Sequence, residues 1–262
     1  MFATQALQIS QARPFIDHVK QHHPLVHCIT NDVVQNFTAN VLLAIGASPA
    51  MVIAKQEVAS FVKIANSLLI NVGTLDSNSA ESMLLAAASA QKNHIPWVLD
   101  PVAVGPALTY RTEIVHQLIS FKPTVIRGNA SEILALNGDN SSSKGPDSQD
   151  STESALNAAK QLAQKHQTIV SITGDVDYIT DGKQTYSITG GDIALTKITG
   201  TGCSLSAMVA AFIAGSTNTL LATASACFMM KKAGELGNKQ QGLGTYAVSL
   251  IDQLSLFNPS QI

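Results

Sequence analysis

The chain has 262 residues, of which 45% are apolar and 13% charged, and its formal net charge is −2. An apolar fraction that high can build a sizeable core and excludes wholesale disorder, and the length suits one large α/β domain spanning residues 1–262. Sixteen Lys and Arg against eighteen Asp and Glu argue against a large nucleic-acid-binding face, so no nucleic-acid partner is expected.

In chain order the apolar pattern alternates short blocks with longer helical stretches. A strand is predicted at residues 25–28, a helix at 33–45, a strand at 50–53 and a helix at 57–65. Strands at 68–71 and 97–100 flank a helix at 77–91, and a helix at 112–120 leads to a strand at 124–126. Residues 137–153 carry no apolar side chain except Pro146 and read as a solvated loop or insertion. A helix at 154–165 and a strand at 168–172 follow, then a hairpin of 178–180 and 185–188 closed by Asp181-Gly182-Lys183. Three helices, at 204–214, 220–236 and 246–254, close the chain. Strands separated by helices of this length indicate parallel βαβ crossovers, and runs such as Leu68-Leu69-Ile70 fit a sheet covered on both faces.

Residues 198–230 contain no charge, but Ser216-Thr217-Asn218-Thr219 interrupts them. Each piece is too short to cross a hydrocarbon layer of ~30 Å, so two buried helices are expected and no membrane partner. The cysteines, Cys28, Cys203 and Cys227, make neither a disulfide framework nor a zinc spacing. The first residues show no basic region leading into an apolar one. A reducing, cytoplasmic location is expected.

Thr199-Gly200-Thr201-Gly202-Cys203 precedes an apolar helical stretch. Two glycines let backbone approach a ligand closely, and the free amides of a helix's first turn favour an anion. The alternative is a glycine-rich turn before a buried helix, with Cys203 as a small core residue. No Lys-Ser/Thr follows the glycines, so this is not a P-loop. Asp100 ends a predicted strand, where open α/β sheets bind ligands; it can hold Mg²⁺ through water or merely cap a turn. In Arg127-Gly128-Asn129-Ala130-Ser131-Glu132, Asn129 or Ser131 caps a following helix and Glu132 suits its first turn. A functional reading adds Arg127 as a phosphate contact and Glu132 as a second metal-side carboxylate. Thr173-Gly174 ends another strand, and Asn71-Val72-Gly73-Thr74 repeats the pattern. Asn36 and Asn40 share one helix face and need partners. On composition alone, His27 and Met51 read as core residues.

Seven blocks occur in order: residues 27–40, Gly46-Ala47-Ser48-Pro49-Ala50-Met51, residues 71–74, Asp100-Pro101-Val102, residues 127–132, Ser171-Ile172-Thr173-Gly174 and residues 199–203. Together they resemble the hydroxyethylthiazole kinase family, thiamine-salvage enzymes of the ribokinase-like superfamily, from about residue 24 to about residue 254. The resemblance implies a single ribokinase-like kinase domain over 1–262, with a central, mostly parallel sheet and helices on both faces. It implies ATP-dependent phosphorylation of the hydroxyethyl group of hydroxyethyl-methylthiazole, with Mg²⁺, and a homotrimer whose active sites lie between subunits. By position, Met51 and Gly200 would contact the thiazole, and Asn36 and Thr74 would line the alcohol pocket. Arg127 and Thr173 would bind ATP, Asp100 and Glu132 would stand on the Mg²⁺ side, and Cys203 would be catalytic. Most of the wider superfamily has Asp where Cys203 stands, whereas the thiazole kinases share the Cys; Ala103 replaces a frequent Gly. The alternatives are a related kinase for a hydroxymethylpyrimidine or another small alcohol, and a non-catalytic small-ligand sensor.

Overall fold

Strands joined by helical crossovers lie side by side with their carboxyl ends at one edge, and the chain builds its sheet this way. In a computed structural model, which describes residues 4–138 and 149–260, nine strands form one sheet. They are β1 (Thr4–Ala6), β2 (Leu25–Ile29), β3 (Ser48–Ala50), β4 (Ser67–Asn71), β5 (Trp97–Asp100), β6 (Val125–Asn129), β7 (Ile169–Thr173), β8 (Asp177–Thr180) and β9 (Thr185–Ile188). Their spatial order is β1-β9-β8-β7-β6-β5-β4-β2-β3. Every neighbouring pair is parallel except the two made by β8.

The helices divide between the two faces because successive strand residues point opposite ways. Leu69, Val98 and Val125 pack with α1 (Ile9–His22), α2 (Gln35–Ala44), α8 (Thr201–Ile213), α9 (Thr219–Leu236) and α10 (Leu243–Ser255). Leu68, Ile70, Leu99 and Ile126 face α3 (Val58–Phe61), α4 (Ser77–Lys92), α5 (Thr109–Ile119), α6 (Ala130–Asn137) and α7 (Gln149–His166). All these strand residues are 0% exposed, which is why β4 and β5 read as continuous apolar runs rather than alternating ones. The charge-free stretch becomes α8 and α9. Among the described residues, no helix is long and apolar enough to cross a membrane.

The structure departs from the sequence expectations in several places. The strand at 50–53 lies instead at Ser48–Ala50, because the Val52 carbonyl bonds His27 Nε2 at 2.7 Å rather than a strand neighbour. The helix at 57–65 is α3 followed by a 3-10 turn, Val62–Ile64. Neither β1 nor α1 was anticipated; α1 keeps Ala12, Ile16 and Val19 buried at helical spacing despite Pro14 inside it. The helix expected from 204 starts at Thr201, which puts Cys203 inside its first turn. Of the polar segment 137–153, residues 139–148 lie outside the described residues, and α7 already begins at Gln149.

Candidate active site

The carboxyl ends of β4 to β7 set polar side chains side by side. Asn71 and Asp100 are register partners that end β4 and β5. Asp100 is 1% exposed, and its Oδ2 accepts from Asn71 Nδ2 at 2.7 Å and from Ser206 Oγ at 2.8 Å. Asn71 Oδ1 in turn accepts from Asn31 Nδ2 at 2.9 Å and from the Gly73 amide at 3.0 Å. The Asn31 amide also reaches Cys203 Sγ, at 3.4 Å. A continuous polar chain therefore links the thiol on α8 to the carboxylate on β5. Gly73 makes room for it: a Cβ there would lie 2.7 Å from both Cβ and Nδ2 of Asn31.

Burial pushes the Asp100 carboxyl up to about 6, with Arg127 opposing that shift and Glu132 adding to it. Burial also raises the Cys203 thiol above its ordinary value, and the Asp100 charge raises it further. The hydrogen bonds from Asn71 and Asn31 and the Arg127 charge pull the other way without reversing the result. A thiol held protonated at neutral pH is a poor base and a good hydrogen-bonding partner.

The glycine turn has the geometry of an anion site. Gly200, at φ +97°, is the N-cap of α8, a left-handed conformation that disfavours other residues. By helix geometry the Gly202 and Cys203 amides have no intrahelical acceptor. Thr201 Oγ1 instead points back, donating to the Leu195 carbonyl at 2.7 Å. Arg127 lies over the same turn, its Nη1 3.0 Å from where a Gly202 Cβ would stand. A guanidinium at a helix N-terminus is opposed by the helix dipole, so the two positive features together are matched only by an anion. Arg127 Nη2 donates to Thr173 Oγ1, Nη1 lies 3.9 Å from Asp100 Oδ2, and Nε is buried with no hydrogen-bond partner among the described residues.

Glu132 plays the capping role that its position suggests. Its Oε2 accepts from the Asn129 amide at 2.8 Å while Asn129 caps Glu132, and its Oε1 accepts from the Ala103 amide at 2.9 Å. Among the described residues, no three His, Cys, Asp or Glu converge as a metal cage. Mg²⁺ ordinarily keeps several waters and takes one or two carboxylates plus substrate phosphates. Asp100 and Glu132, near enough for the Glu132 charge to raise the Asp100 carboxyl, are the carboxylates that would hold such a water-mediated cation.

The remaining sequence candidates fall at different distances from this centre. Thr74 is exposed at the mouth, where its Oγ1 accepts from the Asp32 amide at 3.0 Å, and it lines a cavity of about 420 Å³ with Asn31, Asp32, Asn71, Ser82 and Met83. Met51, half-buried, follows the edge strand β3 and packs on the core; the nearby Ile53 and Ala54 line that cavity. Asn36 is exposed, and its Oδ1 accepts from Asn40 Nδ2 at 3.1 Å. In the sequence Asn31 stands only within the block 27–40, Asn71 only at the end of a strand, and Ser206 only within an apolar stretch. Ser206 was findable, since it stands three residues after Cys203 on one helix face.

The model of the hydroxyethylthiazole kinase family matches residues 16–259. The chain belongs to that family. A hydroxyethylthiazole kinase of Leptospira interrogans is 52% identical over 244 residues, covering 93% of this chain and 92% of its own length. One from Yersinia enterocolitica is 53% identical over 232 residues, covering 88% and 89%. The solved structure of the Pyrococcus horikoshii OT3 hydroxyethylthiazole kinase superposes with a TM-score of 0.86 at 37% identity, over 95% of this chain and 94% of that one. A ribokinase-like superfamily protein of Enterococcus faecalis, at 15% identity and a TM-score of 0.69, shares the fold over 98% of this chain and 96% of its own. The fold is thus ribokinase-like, as the sequence blocks implied.

Proposed function

We propose that the chain transfers the γ-phosphoryl group of ATP to the hydroxyl of hydroxyethyl-methylthiazole, in thiamine salvage. Family membership supports the reaction class, and one observation supports its location. The free amides opening α8 and the Arg127 guanidinium converge on one small volume, beside the Cys203 thiol.

Phosphoryl transfer through a loose transition state asks the protein chiefly for positioning and charge stabilisation. The Gly202 and Cys203 amides carry charge on the transferring oxygens, and Arg127, with Thr173, holds the nucleotide side. Cys203, held by Asn31, orients the alcohol within the cleft. The raised thiol leaves proton removal to a late stage, when the alcohol is already acidified by bond formation. Bound Mg²⁺ would neutralise triphosphate charge, with Asp100 and Glu132 as its carboxylates through water. Thr74 and Gly200 flank the alcohol side of the cleft.

A homotrimer with shared sites gives Met51 and Asn36 a role that one subunit does not. Val33, Leu43 and Ile53, on and near α2 and β3, are 68%, 59% and 50% exposed, which supports an apolar contact on that side. The three cysteines are free, in keeping with a reducing cytoplasm. Phosphotransfer assayed in parallel with the thiazole alcohol and a hydroxymethylpyrimidine should yield phosphorylated thiazole alone. Preferred turnover of the pyrimidine would replace this reading with that of the related kinase. Binding of either ligand without turnover would replace it with that of a sensor.

A further inference from the structure

Lys231, on α9, is 7% exposed and stands outside the residues assigned above. Its Nζ donates to the Gly174 carbonyl at 2.9 Å, the Asp175 carbonyl at 2.9 Å and the Gly190 carbonyl at 3.1 Å. Those three acceptors take all three N–H bonds of the ammonium. Its charge partner is Asp177, whose Oδ1 lies 3.4 Å away and also accepts from the Gly174 amide at 3.0 Å. One side chain therefore ties the turn after β7 to the loop after β9. The Gly174 peptide is held at both its amide and its carbonyl.

The same helix fixes the second loop again one turn later. Glu235 Oε1 accepts from the Gly191 amide at 3.1 Å, and a Cβ on Gly234 would stand 2.6 Å from Leu195 Cδ1. Leu195 in turn offers its carbonyl to Thr201, in the first turn of α8. The turn after β7 begins at Thr173, which accepts from Arg127. α9 thus holds both the turn that follows Thr173 and the loop whose Leu195 carbonyl meets Thr201.

We infer that Lys231, with Asp177, is a positioning residue for the nucleotide: it presets the turn after β7 and the loop after β9 before ATP arrives. The inference rests on the reading of Arg127 and Thr173 as the nucleotide side. A buried ion pair is weak evidence for stability alone, and removing one partner strands the other. The informative variant therefore removes both charges. Asp177→Asn keeps an oxygen for the Gly174 amide, while Lys231→Met removes the carbonyl clamp.

The Lys231→Met/Asp177→Asn protein should melt near the wild type. Its KM for ATP should rise roughly tenfold, with KM for the alcohol within about twofold. A folded double variant with wild-type KM for ATP would overturn the inference, since a purely structural pair is repaired by neutralising both members. Arg127→Ala in the same assay separates the underlying reading: if it leaves ATP binding untouched, the nucleotide side is misassigned. If Arg127→Ala weakens ATP binding and the double variant does not, only the clamp is wrong. Hydrogen exchange on the unaltered protein needs no variant. The Gly174 and Gly191 amides should exchange slowly without nucleotide, and exchange at open-loop rates would sink the idea of preset loops.

Discussion

Asn31 Nδ2 lies 3.4 Å from Cys203 Sγ and 2.9 Å from Asn71 Oδ1, so one amide group holds the thiol and, through Asn71, reports to Asp100. Both amide hydrogens are used, which fixes Cys203 as acceptor in that bond and leaves its own S–H for another partner. The arrangement depends on Gly73. Gly73→Ala puts a methyl 2.7 Å from Asn31 Cβ, an atom with no flexible end to swing aside. Turnover should fall by about tenfold or more, with KM for ATP nearly unchanged, because a displacement of ~1 Å at a positioned group is enough. Steady-state kinetics with both substrates varied checks this.

Burial raises the Cys203 thiol, and the Asp100 charge raises it further. If it positions the alcohol, Cys203→Ala costs less than the ~10²–10⁴-fold typical of a general base. Cys203→Asp should retain or raise activity by placing a low-pKa group at the same point. Complete loss in a folded, ligand-binding Asp variant would reject Cys203's place beside the transferring proton.

Asp100 illustrates a conflict between stability and function. Its carboxyl titrates at about 6 in the fold against an ordinary 3.8, so the folded protein holds this proton more tightly than the unfolded chain. The contribution is therefore unfavourable to folding as pH rises from about 4 to about 6, and levels off above. Asp100→Asn should raise the melting temperature at pH 7 to 8, and the gain should shrink toward pH 4. Its kinase activity should collapse. Calorimetry across that pH range tests the sign, and a melting temperature lowered at pH 8 would show the carboxylate to be stabilising.

Ala103 has φ +57° and gives its amide to Glu132. The left-handed conformation costs an L side chain roughly 1–2 kcal/mol. Ala103→Gly should therefore raise the melting temperature by about 2–4 °C for a chain of this size. Activity should be retained, since the backbone bond to Glu132 is unchanged. A lowered melting temperature in differential scanning calorimetry would count against strain at this residue.

Most of the architecture was readable because it rests on local chemistry. Apolar blocks three to five residues long, spaced by helical segments, specify parallel crossovers, and Asp181-Gly182 announces the hairpin. Asp100, Arg127, Thr173 and Cys203 stand out in the sequence as residues at strand or helix ends. Tertiary structure decided what those patterns leave open. The 50–53 strand ended early because a side chain 25 positions away, His27, takes the Val52 carbonyl. Asn31 and Cys203 are 172 positions apart, so no periodicity could pair them. In the sequence Lys231 is only the first charge after the uncharged stretch 198–230; the fold carries three carbonyls to it. Periodicity reports which face a residue takes on its own element; which residues from distant elements meet is settled only when the sheet order brings their ends together.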